Sequence, residues 1–112
     1  MKESFYQFYY YVPKSHLEKT KSAIFASGAG NIGNYSNCAW QTKGTGQFKP
    51  ELKSNAYIGK IGKIAKVTEY KVETICSARY LKKVLKALKK SHPYEHPAFG
   101  VLPLGTNAAI RN

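Results

Sequence analysis

Three residues near the end of the chain have side chains that could bind a metal ion. His92, Glu95 and His96 lie within five positions, and imidazole and carboxylate groups are common ligands of zinc and copper. Such a cluster usually needs a third or fourth ligand, which Cys38 or Cys76 could supply. The other interpretation is a rigid connector that follows a helix, with its tyrosine packed at an interface. The spacing alone leaves both interpretations open.

Two glycine-rich stretches, residues 28–35 and 43–50, hold a second group of candidate residues. Backbone N–H groups in such stretches can bind a phosphate group, although neither stretch has the spacing of a known phosphate-binding motif. Turn geometry and close backbone approach would also require these glycines. The predicted ligand-binding residues are Gly30, Asn31, Gly33, Asn34, Tyr35, Gly44, Thr45, Gly46 and Phe48.

The chain is strongly basic, with a formal net charge of +12 from 18 Lys and Arg and six acidic residues. Such a charge attracts nucleic acid, anionic membranes or acidic proteins. Only two of the basic residues are Arg, however, and Arg makes the bidentate contacts of specific nucleic-acid readers. We therefore favour a solvated basic surface, and keep a basic nucleic-acid or protein-interaction module as an alternative function.

The sequence also bears on the compartment. No apolar run reaches the length of about 18 residues that a membrane span needs, so we expect no membrane association. The first residues lack the pattern of a signal peptide, and two cysteines do not make a disulfide framework. These features predict a cytoplasmic protein with reduced thiols.

Hydrophobic spacing predicts the order strand, helix, strand, strand, helix, strand. The strands are predicted over residues 5–12, 36–42, 67–76 and 99–104. The first helix should begin at a capping box of Ser15 and Glu18 and end at Gly28. The second should begin after Ser77 and end near residue 91. Between the second and third strands, the glycine-rich stretch 43–50 is followed by residues 51–62, which are predicted to form a long hairpin arm or loop, so the fold carries a long glycine-rich hairpin arm.

This order of elements predicts the fold class. The core stripe of the second helix is expected to be Leu81, Val84, Leu85 and Leu88. Burying a stripe on each helix gives an α+β fold, a ferredoxin-like βαββαβ sandwich with two helices on one face of an antiparallel sheet. We predict one domain over residues 1–112, with 105–112 as a frayed tail. Aromatic residues in the first strand would occupy both sheet faces, so another subunit is expected to cover the open face.

Several segments share residues and spacing with a known family. They are Val12-Pro13 with His16, residues 28–35, Cys38, residues 44–46 with Phe48 and Pro50, Ile58-Gly59, Glu73-Thr74, and residues 92–95 with Pro97-Ala98. They resemble the small inserted domain of the YqfO-like, NGG-interacting-factor-three family. The last segment also resembles part of the CutA proteins, which are trimers linked to divalent-cation tolerance. The resemblance implies a CutA/P-II-like fold, a homo-oligomer with a trimer favoured, and ligand clefts between subunits.

In the larger family the inserted domain interrupts a host domain that holds a two-metal site. We expect the present chain to be a stand-alone copy, so that metal chemistry is not carried over, and a metal-dependent hydrolase-like enzyme is kept as an alternative. His96 stands where the family tends to have an acidic residue, which adds a metal ligand. The predicted function is an oligomeric CutA/P-II-like module that binds an unknown small molecule or divalent metal, rather than an enzyme.

Overall fold

The structure, a computed structural model, describes residues 4–105, so only Gly105 of the predicted tail over 105–112 lies inside it. Its strands and helices are β1 (Phe5–Pro13), α1 (Leu17–Ala26), β2 (Ala39–Phe48), β3 (Ala65–Ser77), α2 (Leu81–Ser91) and β4 (Phe99–Pro103). A short 3-10 turn precedes each helix, at Lys14–His16 and at Ala78–Tyr80. The order of elements is the one that the hydrophobic spacing predicts.

The four strands form one antiparallel sheet in the order β2-β3-β1-β4. Both helices pack on the same face of this sheet. The core cluster there joins Leu17 and Ile24 of α1, and Val84 and Leu88 of α2, to residues of β1 and β3. The predicted α+β sandwich, with two helices on one face of an antiparallel sheet, is therefore confirmed.

Alternate residues of the two central strands supply the sheet's side of the core. Phe8, Tyr10 and Val12 of β1, with Val72 and Cys76 of β3, are at most 1% exposed. This alternation follows from the two-residue period of a strand, and burying each large apolar side chain contributes about 1.5–3 kcal/mol. The intervening residues point to the opposite, helix-free face of the sheet.

Gly28 ends α1 as predicted. Its φ is +118°, and its backbone N–H donates to the carbonyl oxygen of Phe25 at 3.2 Å. The next N–H, of Ala29, donates to the carbonyl oxygen of Ile24 at 3.1 Å, which completes a Schellman motif. A side chain does not fit at this position, because a Cβ on Gly28 would lie 2.5 Å from Cγ of Tyr80.

The predicted capping box of α1 is wrong, whereas Ser77 does stand at the N-cap position of the 3-10 turn that leads into α2. No side chain caps α1, and the Ser15 hydroxyl lies instead 2.8 Å from Nδ1 of His16. Ser77 makes no cap hydrogen bond either, and its Oγ is buried without a partner among the described residues. Because a 3-10 turn precedes each helix, the first α-helical turn begins beyond the reach of either hydroxyl.

β2 differs most from the prediction. It runs over Ala39–Phe48 rather than 36–42, so most of the second glycine-rich stretch lies inside a strand. Gly46 pairs with Val67 of β3, and the Glu69 carboxylate lies in the space that a Cβ at this position would take. Residues 49–64 then connect β2 to β3 without forming a helix or a strand.

Candidate functional site

His92, the first of the predicted metal ligands, lies inside the protein. It is 7% exposed, its Nε2 lies 2.7 Å from the carbonyl oxygen of Tyr11, and its Nδ1 accepts the N–H of Tyr94 at 3.1 Å. Because Nδ1 accepts a hydrogen bond, Nε2 carries the proton and donates it to Tyr11. Burial lowers the pKa of His92 below its ordinary value of 6.5. In this neutral form both ring nitrogens are occupied by the backbone, which leaves no lone pair for a metal.

Glu95 and His96 instead line a cavity of about 380 Å³ between the end of β2 and residues 92–98. Gly46 and Phe48, from the second glycine-rich stretch, line the same cavity. The structure therefore brings members of both predicted groups together around one space.

Three aromatic rings stand in the walls of this cavity. The ring centroid of Tyr94 lies 5.9 Å from that of Phe48 and 6.3 Å from that of Tyr57, within the range of favourable aromatic pairs. His16 packs edge-on against Tyr57 at 5.9 Å from the other side. Apolar walls with a few polar groups are typical of small-molecule sites.

The two carboxylates of the cavity accept hydrogen bonds from neutral donors. The Tyr94 hydroxyl donates to Oε2 of Glu69 at 2.9 Å, and the N–H of Asn55 donates to Oε1 of Glu95 at 3.0 Å. Burial, with the hydrogen bond to Glu69, raises the pKa of Tyr94, so its hydroxyl stays protonated. Oγ of Ser54 is buried and has no hydrogen-bond partner among the described residues. The polar groups of the lining thus include two carboxylates and a serine hydroxyl that has no partner among the described residues.

The first glycine-rich stretch lies at the other end of the sheet. The N–H of Gly30 donates to the carbonyl oxygen of Ile75 at 2.7 Å, whereas Gly46 pairs with Val67. Ile75 and Val67 are eight positions apart on β3, which is about 27 Å in an antiparallel strand. The two stretches therefore cannot form one site within a single chain.

Several backbone groups of the first glycine-rich stretch form hydrogen bonds within the turn of residues 30–38. The carbonyl oxygen of Gly30 accepts the N–H of Cys38 at 2.8 Å, and Ile32 and Tyr35 exchange two backbone hydrogen bonds of 2.9 Å. These bonds favour the turn interpretation over a phosphate site made of the same N–H groups.

The other predicted ligand-binding residues are divided among several places. A separate cavity of about 280 Å³ is lined in part by Asn31 and Gly33. A depression beside the cavity of Glu95 and His96 is lined in part by Gly44 and Thr45. The exposed members of the first stretch include Asn34 and Tyr35.

Cys38 lies away from the cavity of Glu95 and His96, at the start of β2, where its carbonyl oxygen accepts the Thr74 hydroxyl at 2.6 Å. Within residues 4–105, no three His, Cys, Asp or Glu side chains are placed to hold a metal ion. One chain therefore does not bring together His92, Glu95, His96 and Cys38, because the histidine ring faces inward and the cysteine lies near the opposite end of β3.

Sequence reasoning missed Glu69 and Tyr57. The first lies within the predicted third strand and the second in the irregular β2–β3 connection, and neither is among the predicted site residues. One signal was present, since a glycine inside a strand often marks close approach by another group. Gly46 meets that description, and the group that approaches it is the Glu69 carboxylate.

A four-stranded antiparallel sheet in this order, with two helices on one face, defines a CutA-like α+β module. The periplasmic divalent cation tolerance protein CutA from Archaeoglobus fulgidus has the same fold, with a TM-score of 0.66 and 16% identity over 92% of this chain and 86% of that one. In the described part of the chain, neither helix is long and apolar enough to cross a membrane.

Closer sequence similarity is found with proteins named GTP cyclohydrolase 1 type 2 homolog. That of Halalkalibacterium halodurans is 47% identical over 102 residues, which are 91% of this chain and 27% of the relative. A Bacillus cereus protein related to NIF3 is 38% identical, with a TM-score of 0.80 over 92% of this chain and 26% of that one.

The chain thus spans about a quarter of the length of the relatives that it matches. It is homologous to one segment of the YqfO-like, NIF3-related proteins, and the predicted relationship is confirmed for that segment. No protein-family model matches the chain.

Proposed function

We propose that this module binds a small molecule in the cavity between β2 and residues 92–98, and that it does so as a homo-oligomer. One observation carries the proposal. Gly46, Phe48, Glu95 and His96 come from two separate sequence regions with binding chemistry, and all four line one cavity. Its volume of about 380 Å³ is within the range of small-molecule sites, and its walls are largely apolar, as in such sites.

A ligand of this cavity is expected to raise the melting temperature of the wild-type protein and to lose that effect in Phe48→Ala. Binding to the native state alone stabilises it, by about 2.7 kcal/mol at a ligand concentration of 100 times Kd, and the substitution removes one wall. A thermal-shift screen of divalent metals, nucleotides and anions provides the measurement.

Tyr35→Ala is the matched control for that screen, because Tyr35 is 75% exposed at the other end of the sheet. A ligand whose effect is lost in Tyr35→Ala and kept in Phe48→Ala would place the site at the first glycine-rich stretch. A screen in which no compound stabilises the protein would contradict the proposal.

A divalent cation, zinc or copper, is the competing occupant. Glu69, Glu95 and His96 line the cavity, but within residues 4–105 no three such side chains are placed to hold one metal ion, and a structural zinc ion takes four ligands. A second subunit or a bound small molecule would have to supply the others. In that case His96→Ala abolishes a zinc- or copper-induced rise in melting temperature and leaves the effect of a metal-free ligand unchanged.

The helix-free face of the sheet is the proposed subunit interface, with a trimer favoured by the resemblance to CutA proteins. The register places Tyr9, Trp40 and Leu102 on this face, and Trp40 and Leu102 are 68% and 50% exposed. Exposed apolar groups collected on one face are typical of a protein–protein contact, and large aromatic residues are enriched there.

Trp40→Ser is expected to weaken this assembly by more than about tenfold, because a tryptophan at the centre of an interface often contributes 2 kcal/mol or more. Size-exclusion chromatography with light scattering, over a dilution series, measures the mass. The control is Leu52→Ser, since Leu52 is 80% exposed in the β2–β3 connection. A wild-type protein that stays monomeric at every concentration would refute the interface.

The cytoplasm is the proposed compartment. Cys38 and Cys76 are free thiols, which suits reducing conditions. Burial raises the pKa of Cys76 to about 11, so this thiol stays protonated and packs as a small apolar group.

A further inference from the structure

The cavity between β2 and residues 92–98 differs in charge from the protein as a whole. Two of the six acidic residues, Glu69 and Glu95, line it. Its lining, in the part of the chain that the structure describes, includes no lysine or arginine, although the sequence has 18 of them. The cavity is therefore a local acidic site on a protein of net charge +12.

These two carboxylates have no cationic partner within 4.0 Å among residues 4–105. Across residues 4–105, neither Glu69 nor Glu95 takes part in an ion pair. Their hydrogen bonds come from the Tyr94 hydroxyl at 2.9 Å and the Asn55 N–H at 3.0 Å, and both donors are neutral. The negative charge of the cavity is thus left for a ligand to neutralise.

The position of the Glu69 carboxylate is fixed from two sides. It occupies the space that a Cβ at Gly46 would take, and its Oε2 accepts the Tyr94 hydroxyl. This arrangement holds the charge beside the rings of Tyr94 and Phe48, whose centroids are 5.9 Å apart. A carboxylate next to aromatic rings is the combination that binds organic ammonium groups, since ring faces also attract cations.

We propose that this cavity takes a small organic cation, in which a protonated amine or a quaternary ammonium is carried on a flat or aromatic body. The inference rests on the proposed function, in which the cavity is the ligand site. The ammonium pairs with Glu69 and Glu95, and the apolar body packs against Phe48, Tyr57 and Tyr94. A phosphate-bearing ligand is repelled by the same two carboxylates.

Benzylamine and benzyl alcohol form a matched pair of probes, because they have nearly the same shape and differ in charge at neutral pH. Benzylamine is expected to bind with a Kd roughly tenfold lower, as a cation beside carboxylates and aromatic rings. Titrations followed by ¹H–¹⁵N NMR give both dissociation constants. Shifts of the Gly46, Glu69 and Tyr94 amides locate the probe in this cavity, and benzyl phosphate is expected to leave these amides unshifted.

Substitution of each carboxylate tests the role of charge. Glu69→Gln and Glu95→Gln are each expected to raise the Kd of benzylamine by about fivefold and to leave the Kd of benzyl alcohol unchanged. Glu18→Gln is the matched control, because Glu18 is an exposed acid on α1 and should change neither value.

The outcomes separate this inference from the function on which it rests. Equal dissociation constants for the amine and the alcohol, with the cavity amides shifted, would support a ligand cavity and overturn the cationic ligand. Tighter binding of benzyl phosphate than of benzylamine would overturn it as well. An equal loss in Glu18→Gln would attribute the effect to overall charge, and no shift with any probe would contradict both proposals.

Discussion

Gly28→Ala is expected to lower the free energy of unfolding by about 3 kcal/mol or more, a large effect for one added methyl group. The residue has a φ of +118°, where an L side chain is strained. Its new Cβ would also lie 2.5 Å from Cγ of Tyr80, so the end of α1 would collide with the turn that precedes α2. Urea unfolding followed by circular dichroism measures the loss.

Gly33→Ala separates the two causes of that effect. Gly33 also has a positive φ, of +54°, but no atom lies within 4 Å of its Cβ position. Backbone strain without a collision is expected to cost about 1–2 kcal/mol. If Gly28→Ala costs no more than Gly33→Ala, the collision with Tyr80 is not part of the explanation.

His92→Ala is expected to cost about 2–4 kcal/mol, the second of the large effects. The substitution leaves the Tyr11 carbonyl and the Tyr94 N–H without the imidazole that pairs both of them. His96→Ala removes an exposed imidazole and should stay within about 0.5 kcal/mol of the wild type. Equal effects at the two positions would contradict the view that His92 ties residues 92–98 to β1.

His92 also gives the stability a pH dependence. Burial lowers the pKa of its imidazole, and the hydrogen bond to Tyr11 opposes this only in part. Below the ordinary value of 6.5, the unfolded chain binds a proton that the native protein does not. The free energy of unfolding therefore falls as the pH drops from about 7, and levels off below the lowered native pKa.

The difference between the wild-type and His92→Ala unfolding curves isolates this titration from that of the other histidines. We expect that difference to shrink as the pH falls, since protonation removes the advantage that the neutral imidazole provides. A difference that is constant between about pH 8 and 5 would contradict the assignment.

The elements that the sequence identified well are those whose signals are local. The two-residue period of the predicted strand 67–76 puts Val72 and Glu69 on opposite faces, and the structure agrees, with Val72 fully buried. Helical spacing likewise identified Val84 and Leu88, which are fully buried. The sequence predicts the end of β2 wrongly, because glycine is depleted in strands. Gly46 nevertheless lies in β2, beside the Glu69 side chain of β3.

The sequence names several residues that line the cavity, but it does not group them, because spacing within one segment does not report contacts between segments. Phe48, Glu95 and His96 belong to two different predicted sites, and the structure places all three in the lining of one cavity. His92 was grouped with them by spacing, although its ring faces inward to the Tyr11 carbonyl. Spacing in a connector does not fix the direction of a side chain, so sequence could not separate His92 from its neighbours.

By itself, the sequence determined the order of strands and helices, the core-facing residues and the glycine that ends α1. These features follow from the period of each element and from the φ that only glycine adopts readily. Only the tertiary structure decided which candidates share a site. The register of β2 on β3, with the bond from His92 to Tyr11, brings residues 46–48 beside residues 94–96 and leaves the first glycine-rich stretch at the far end of the sheet. Contacts between residues so distant in sequence depend on strand pairing, which no spacing within a single segment specifies.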